Sequence, residues 1–485
     1  MSMKSLYAEI LIAKHFRNSI FKNKAIFIIT LFIGGLLLYA TFSGWNNYSN
    51  QNETSEKYQH QSREDWLKNP DKNPHRMAHY GNFAFRKSTS LSVFEFGMEP
   101  FFGNAIFLEA HKQNTANFSE AGFSNSMLRF GEISIAMILQ ILLPLLIFFL
   151  GFNSIAYERE TGTLKIILTQ GVTWKELLIG KILGIASVVM LLFIPTIIVL
   201  VLLWLLLQNF SITADETFKM LLFIGFHFIY LIFFCIIAVL ISAVSKTSKK
   251  ALISLIGIWL LFTIILPRTT QAIGAYIFEA PSKIQFNSDI EKDILLKGDS
   301  HNPNDSHYKG IKDSLLLAYK VDSVQQLPFN YSGFIMTEGE KISSRIYNEH
   351  LAKLLKVYEK QNSFSKAVSF LNPYIAIKNL SMGLSNTDYD SYIDFQKQAE
   401  AYRYTMAQKM NGLQVKYISN KKPTSNDKPL TIGKEHWADV EEFHYEPKGV
   451  WDAIKSEIIS IISIILWITI LFILIRTAAK KLKAI

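Results

Sequence analysis

Among 485 residues there is one cysteine, Cys235, and it falls inside a hydrophobic run. The polar parts of the chain therefore fold without disulfides, whatever the redox state around them. Also missing is any Gly-x4-Gly-Lys-Ser/Thr sequence, the loop whose backbone N–H groups wrap nucleotide phosphates. ATP use is expected on another chain, and this one reads as a non-enzyme with no cofactor of its own. No nucleophile stands at a recognisable spacing from a supporting base, and no internal repeat is apparent. No Lys, Arg, Asp or Glu lies in the long hydrophobic runs, where His227 and the thiol of Cys235 are the only ionisable groups apart from tyrosines. Ion-driven carriers and intramembrane enzymes need buried charges, so both classes are disfavoured.

What is present is hydrophobicity in blocks. Hydrophobic residues make up 49% of the chain, and six runs reach the roughly 20 apolar residues that a membrane span needs. They are Ala25–Gly44, Ile133–Ile155, Ile182–Leu207, Met220–Val244, Ala251–Pro267 and Ile458–Ile475. The fold class that follows is an all-α membrane protein of six transmembrane helices with a mostly helical extracytoplasmic domain. The first run follows too long a charged leader, and is itself too long, for a cleaved signal.

Basic residues gather at alternate ends of the runs. Lys4, Lys14, Arg17, Lys22 and Lys24 precede the first; Lys165, Lys175 and Lys181 lie between the second and third. Lys246, Lys249 and Lys250 separate the fourth and fifth, and Arg476, Lys480, Lys481 and Lys483 follow the sixth. The positive-inside rule then puts both termini in the cytoplasm and the protein in the inner membrane. Gln208–Lys219, with Asp215 and Glu216, faces out. The net charge of +10 belongs to this inner rim and to anionic lipid, so no nucleic-acid partner is expected.

The chain divides accordingly into an amphipathic cytoplasmic helix (1–24), span 1 (25–45), a first outer segment (46–132), spans 2 to 5 (133–267), a second outer segment (268–455), span 6 (456–475) and a tail (476–485). Helical spacing is clearest in Glu340–Lys360. Further helices are expected over Phe364–Leu384 and Tyr389–Met410, after start signals at Ser363 and Asp388. Asn302–Asp305 and Lys422–Asp427 read as loops, and Trp437–Tyr445 as a strand. The two outer segments emerge beside the first and fifth spans, and are expected to pack into one domain.

Between spans 2 and 3, within 156–181, lies Glu158-Arg159-Glu160-Thr161-Gly162-Thr163-Leu164. Charged and broken by a glycine, it must sit at a water interface. With Leu164–Leu178 as a short amphipathic helix, it suits a groove on a soluble motor that tilts the adjoining spans. A plain tight loop with charged ends explains the same residues.

Those seven residues, followed by Gly171-Val172 and Gly180-Lys181, resemble the E-x-E-x-G-T-L…G-x-x…G-K pattern of ABC-2 type transporter permeases, the membrane subunits of ABC exporters. Leu108–Asn114, Leu142–Leu146 and Leu371-Asn372-Pro373-Tyr374 resemble a subgroup with a large outer insertion. The resemblance implies an exporter subunit coupled through Glu158–Leu164 to separate ATPase subunits that carry ATP and Mg, and paired with a second copy or a homologous permease. Two other readings stay open: relay of ATPase strokes to an extracytoplasmic partner protein, and a membrane receptor or scaffold.

His75 and His79 lie one helical turn apart, and His111 falls in the same outer segment. Imidazoles at i and i+4 share a metal only if a third ligand converges; with no cysteine or histidine-rich tract nearby, solvated histidines and no metal are expected. The carboxylate pairs Glu441/Glu442 and Asp388/Asp390 read as loop and helix-start residues. Pro144, Pro195 and Pro267 lie in or at the ends of spans and are candidate kinks.

Overall fold

The computed structural model describes residues 3–114, 133–207, 213–298, 302, 305–421 and 430–482. Pro303, Asn304, Lys422–Asp427, Lys483 and the start of the Gln208–Lys219 connection lie outside them. Among the described residues, six helices are long and apolar enough to cross a membrane: Lys24–Lys68, Ile135–Glu160, Trp174–Leu207, Ala214–Val244, Ser248–Ile277 and Ile458–Lys481. Each contains, to within two residues, one of the hydrophobic runs. The chain is a multi-pass membrane protein whose polar remainder is also mostly helical.

The first span does not stop where its hydrophobicity does. Capped by Asn23, whose side chain accepts from the Ala25 and Ile26 amides, its helix runs 45 residues without a break. At 1.5 Å per residue that is about 67 Å, twice the hydrocarbon thickness of a bilayer. Nothing in Asn46–Lys68 breaks a helix, so the rod continues into a head domain, where Trp66 is fully buried.

Trp66 donates its indole N–H to the Trp437 carbonyl at 2.9 Å, and around it the two polar segments share one core. Met77, Ala84, Ile106 and Leu108 pack there with Phe395, Met406, Met410 and Trp437. Asn82–Phe85 and Ala105–Leu108 form an antiparallel hairpin, the only sheet among the described residues.

Trp437–Tyr445 forms no strand, which corrects the sequence reading: Trp437 ends a short 3-10 helix, Ala438 and Asp439 turn, and only 441–445 runs on without regular structure. Its carbonyls are taken by side chains before a neighbouring backbone can reach them. Arg63 donates to Val440 O at 2.7 Å, Gln59 to Phe443 O at 3.1 Å, Tyr402 to Glu441 O at 2.6 Å, and Lys409 to Asp439 O. The segment is a strap lashed to two helices.

Helix boundaries in the head follow capping chemistry. Asn330 caps Tyr331–Val368, which contains the expected Glu340–Lys360. Ser363 starts nothing; the helix passes through it and breaks at Ser369–Asn372, because Pro373 pushes the preceding residue out of helical geometry and Asn372 caps the new helix Pro373–Leu384. Asp388 does start a helix, its carboxylate accepting from the Ser391 amide at 3.0 Å, and that helix runs on to Tyr417.

Inside the head, Arg403 is wholly buried between Glu340 and Glu400, at 2.7 Å from each. Burial opposes ionisation of Glu340, yet the hydrogen bond from His111 and the charge of Arg403 hold its carboxyl at about 2.

Two of the three prolines shape their spans in a definite way. Wide helical turns of the i→i+5 type occupy Ile138–Leu142 and Leu261–Ile265, just before Pro144 and Pro267, which lack the N–H that would close a regular turn. The released carbonyls are met by side chains: Tyr230 Oη donates to Gln140 O at 2.8 Å, Trp259 Nε1 to Ile141 O at 2.9 Å, and Asn372 Nδ2 to Phe262 O at 2.8 Å. Ser463 Oγ donates to Ser369 O at 2.6 Å, so the Ser369–Asn372 break is bonded to both the fifth and sixth spans. Tyr230→Phe keeps the ring and strands one buried carbonyl. It is expected to cost about 1–3 kcal/mol, seen as a lower unfolding temperature of the purified protein beside wild type.

Candidate coupling site

At the end of the bundle opposite the head, span 2 breaks after Gly151 and resumes as the short helix Ala156–Glu160. The break is closed by Ser242 of the fourth span, whose hydroxyl accepts from the Ile155 and Ala156 amides and donates to Phe152 O at 2.9 Å. Gly162, at φ 77°, then reverses the chain in left-handed geometry that a side chain would strain. Thr163–Thr169 forms the next helix. Leu164–Leu178 is therefore not one amphipathic helix: Gly171, at φ 90°, interrupts it. Thr173 and Glu176 make a reciprocal cap that opens the third span.

Three consecutive charged side chains reach three different spans. Glu158 forms an ion pair with Lys181 near the start of the third, both largely buried. Arg159 forks onto the end of the fourth, donating to Ser245 O at 2.6 Å and Ala243 O at 2.7 Å; these are last-turn carbonyls that a helix leaves unpaired. Glu160 accepts from Ser248 Oγ, at the start of the fifth, at 2.6 Å. Leu164 is fully buried in the bundle core. Of the seven residues singled out in the sequence, four thus hold the bundle together, while Thr161, Gly162 and Thr163 are exposed.

The amphipathic helix Met3–Phe21 completes the site. It lies along the third span because Gly180 and Gly184 leave room: a Cβ at Gly180 would come within 2.7 Å of Ile12, and one at Gly184 within 3.0 Å of Phe16. Small residues four apart are the usual means of such close helix contact. Phe16 also places its ring 4.3 Å from Lys181 Nζ, so one ammonium joins this helix, the end of span 2 and span 3. Leu6, Tyr7, Ile10 and Leu11 stay exposed on its outer side, an apolar face suited to the lipid boundary.

Residues 104–285 match a family model described as "ABC-2 family transporter protein", and residues 283–446 match a domain of unknown function, DUF3526. The chain thus carries an ABC-2 family transporter domain, followed by a DUF3526 domain. It is the membrane permease of an ABC transporter, and the ABC-2 domain implies an ABC ATPase partner. In this permease the family segment takes in spans 2 to 5 and the candidate coupling site, DUF3526 takes in most of the head, and span 6 lies beyond both matches. No curated protein matches the chain.

Some site residues carried little sequence signal. Ser242 and Ser248 are ordinary serines at span ends, and Tyr157 and Ile166 become notable only as the large exposed side chains of the element, at 58% and 57%. Asp388 caps a helix, the helix-start place read for it, and Asp390 lies 3.7 Å from Lys366.

Proposed function

We propose that this permease is driven from the cytoplasm by separate ATPase subunits that dock on Tyr157, Thr161–Thr163 and Ile166, and that the stroke reaches the spans through Glu158, Arg159 and Glu160. The observation that carries the reading is that division of labour: three adjacent side chains bolt spans 2 to 5 together beneath an exposed, partly apolar ridge. Such a ridge cannot be pressed without moving four helices as one. Lys165, Lys175 and the basic residues beside the other short connections favour the cytoplasmic side for it. Two copies, or this chain with a homologous permease, would complete the transporter, and export is the direction that the resemblance favours.

Docking is tested by Ile166→Glu, which changes an exposed side chain and should leave the fold intact. Co-purification with the cognate ATPase is expected to fall at least tenfold, as for a buried apolar anchor replaced by a charge. Retention of wild-type co-purification by a correctly folded variant would sink the docking surface.

A second reading has its own support. The unbroken Lys24–Lys68 helix runs from the bundle to Trp66 in the head. Lys219 at the top of the fourth span donates to Asn386 Oδ1 at 3.0 Å and Lys448 O at 2.6 Å. Strokes arriving below would therefore move the head, which could act on an outer partner with nothing passing between the spans. ATP-dependent movement of a defined solute in reconstituted vesicles separates this relay from export.

A further inference from the structure

His75 and His79 project from the seven-residue helix Pro74–Tyr80, whose start is fixed by Asn73 accepting from the His75 amide at 2.9 Å. Their Nε2 atoms lie 3.2 Å apart. The third imidazole, that of His111, does converge. His111 follows the hairpin in left-handed geometry at φ 63°, an uncommon conformation for a residue with a side chain. Its ring centre is 5.3 Å from that of His75 and 5.5 Å from that of His79. One nitrogen from each residue lies within 4.8 Å of the other two.

Three features make this more than a crowd of rings. Nitrogens bound to tetrahedral zinc at about 2.0–2.1 Å are about 3.3–3.4 Å from one another, and the His75–His79 separation already approaches that edge; small side-chain rotations bring in the third. His111 is held from behind, its Nδ1 at 3.0 Å from Glu340 Oε2, the same oxygen that accepts its backbone N–H at 3.0 Å. A carboxylate behind Nδ1 turns Nε2 into the coordinating atom, the usual outer-shell arrangement of metal-bound histidine. Finally, Glu340 and Glu400 against the single Arg403 leave one net negative charge behind three neutral ligands, which favours a dication.

We propose that His75, His79 and His111 bind one divalent transition-metal ion, zinc by ligand preference, with the fourth position open to solvent or a further ligand. His79 is exposed while His75 and His111 are half-buried, so the ion can enter from the surface. All three ligands belong to the first polar segment, and through Glu340 behind His111 the ion would be tied to the DUF3526 match as well. The site is remote from the coupling residues, and its test is independent of theirs.

Purified full-length protein is stripped with a chelator and titrated with Co2+, then with Zn2+. One Co2+ per chain is expected, with the visible absorption of tetrahedral coordination, bleached on adding Zn2+, and with a higher unfolding temperature in the loaded form. His79→Ala, at an exposed position, is expected to abolish the signal; Glu340→Gln is expected to weaken affinity about 10- to 100-fold; His60→Ala, exposed on the long first helix, should change nothing. Absence of stoichiometric Co2+ binding, or wild-type affinity in a folded His79→Ala protein, would overturn the assignment.

Discussion

Replacing Arg403 with methionine is expected to destabilise the head while leaving the membrane bundle intact. The guanidinium is inaccessible to solvent, as is its partner Glu340, and removing it leaves two carboxylates facing each other without a counter-charge. Breaking a buried ion pair from one side costs about 3–5 kcal/mol, and in a domain of this size that lowers the unfolding temperature on the order of 10 °C. Protease sensitivity in both polar segments of the head, with the spans protected, would report it. Adding Glu340→Gln and Glu400→Gln to the same chain should recover part of the loss, since no unpaired charge then remains. A single variant that melts within a degree of wild type would show that the cluster is solvated and contributes little.

The other large effect belongs to Lys181. Lys181→Met leaves the exposed ridge untouched and removes the ammonium shared by Glu158 and the Phe16 ring. The ATPase is expected to bind this variant as it binds wild type, but its turnover should lose its dependence on the membrane subunit by about 5- to 150-fold, the usual range of an inter-site coupling. Ile166→Glu should give the opposite pattern, failing to bind at all. Were Lys181→Met to keep full coupling, the ion pair would be a packing detail and the stroke would need another route into span 3.

These experiments turn on distinctions that the sequence carried unevenly. Hydropathy located all six spans because a bilayer imposes length and composition on any helix crossing it, and Asp388 announced its helix because capping is a local interaction. Ser363 misled: a serine looks like a cap wherever it occurs, and only Asn372-Pro373 has the backbone chemistry to enforce the break. Trp437–Tyr445 has the composition of a strand, and it took Gln59 and Arg63, almost 400 positions away, to claim its carbonyls.

At the coupling site, the pattern Glu158–Leu164 was legible as a unit, but the partners of its charges were not. Ser245 O and Ala243 O are backbone atoms with no residue signature, so no motif could name them. Gly180 is different, since its reason lies in Ile12 of another helix, packed too close for a side chain. His111 shows the limit most clearly. A shared outer segment was all that linked it to His75 and His79, and its place beside them arises from the turn after a two-stranded hairpin and a carboxylate from a helix more than 200 residues later.

The helix that begins at Lys24 and ends at Lys68 also fixes a ratio of displacements. Taken from mid-bilayer near Gly35 to Trp66, it is an arm of about 45 Å, so a tilt of about 10° swings its far end by roughly 8 Å. Angular changes too slight to open a wide passage among the spans become, at the tip of this crank, travel comparable to the width of a helix.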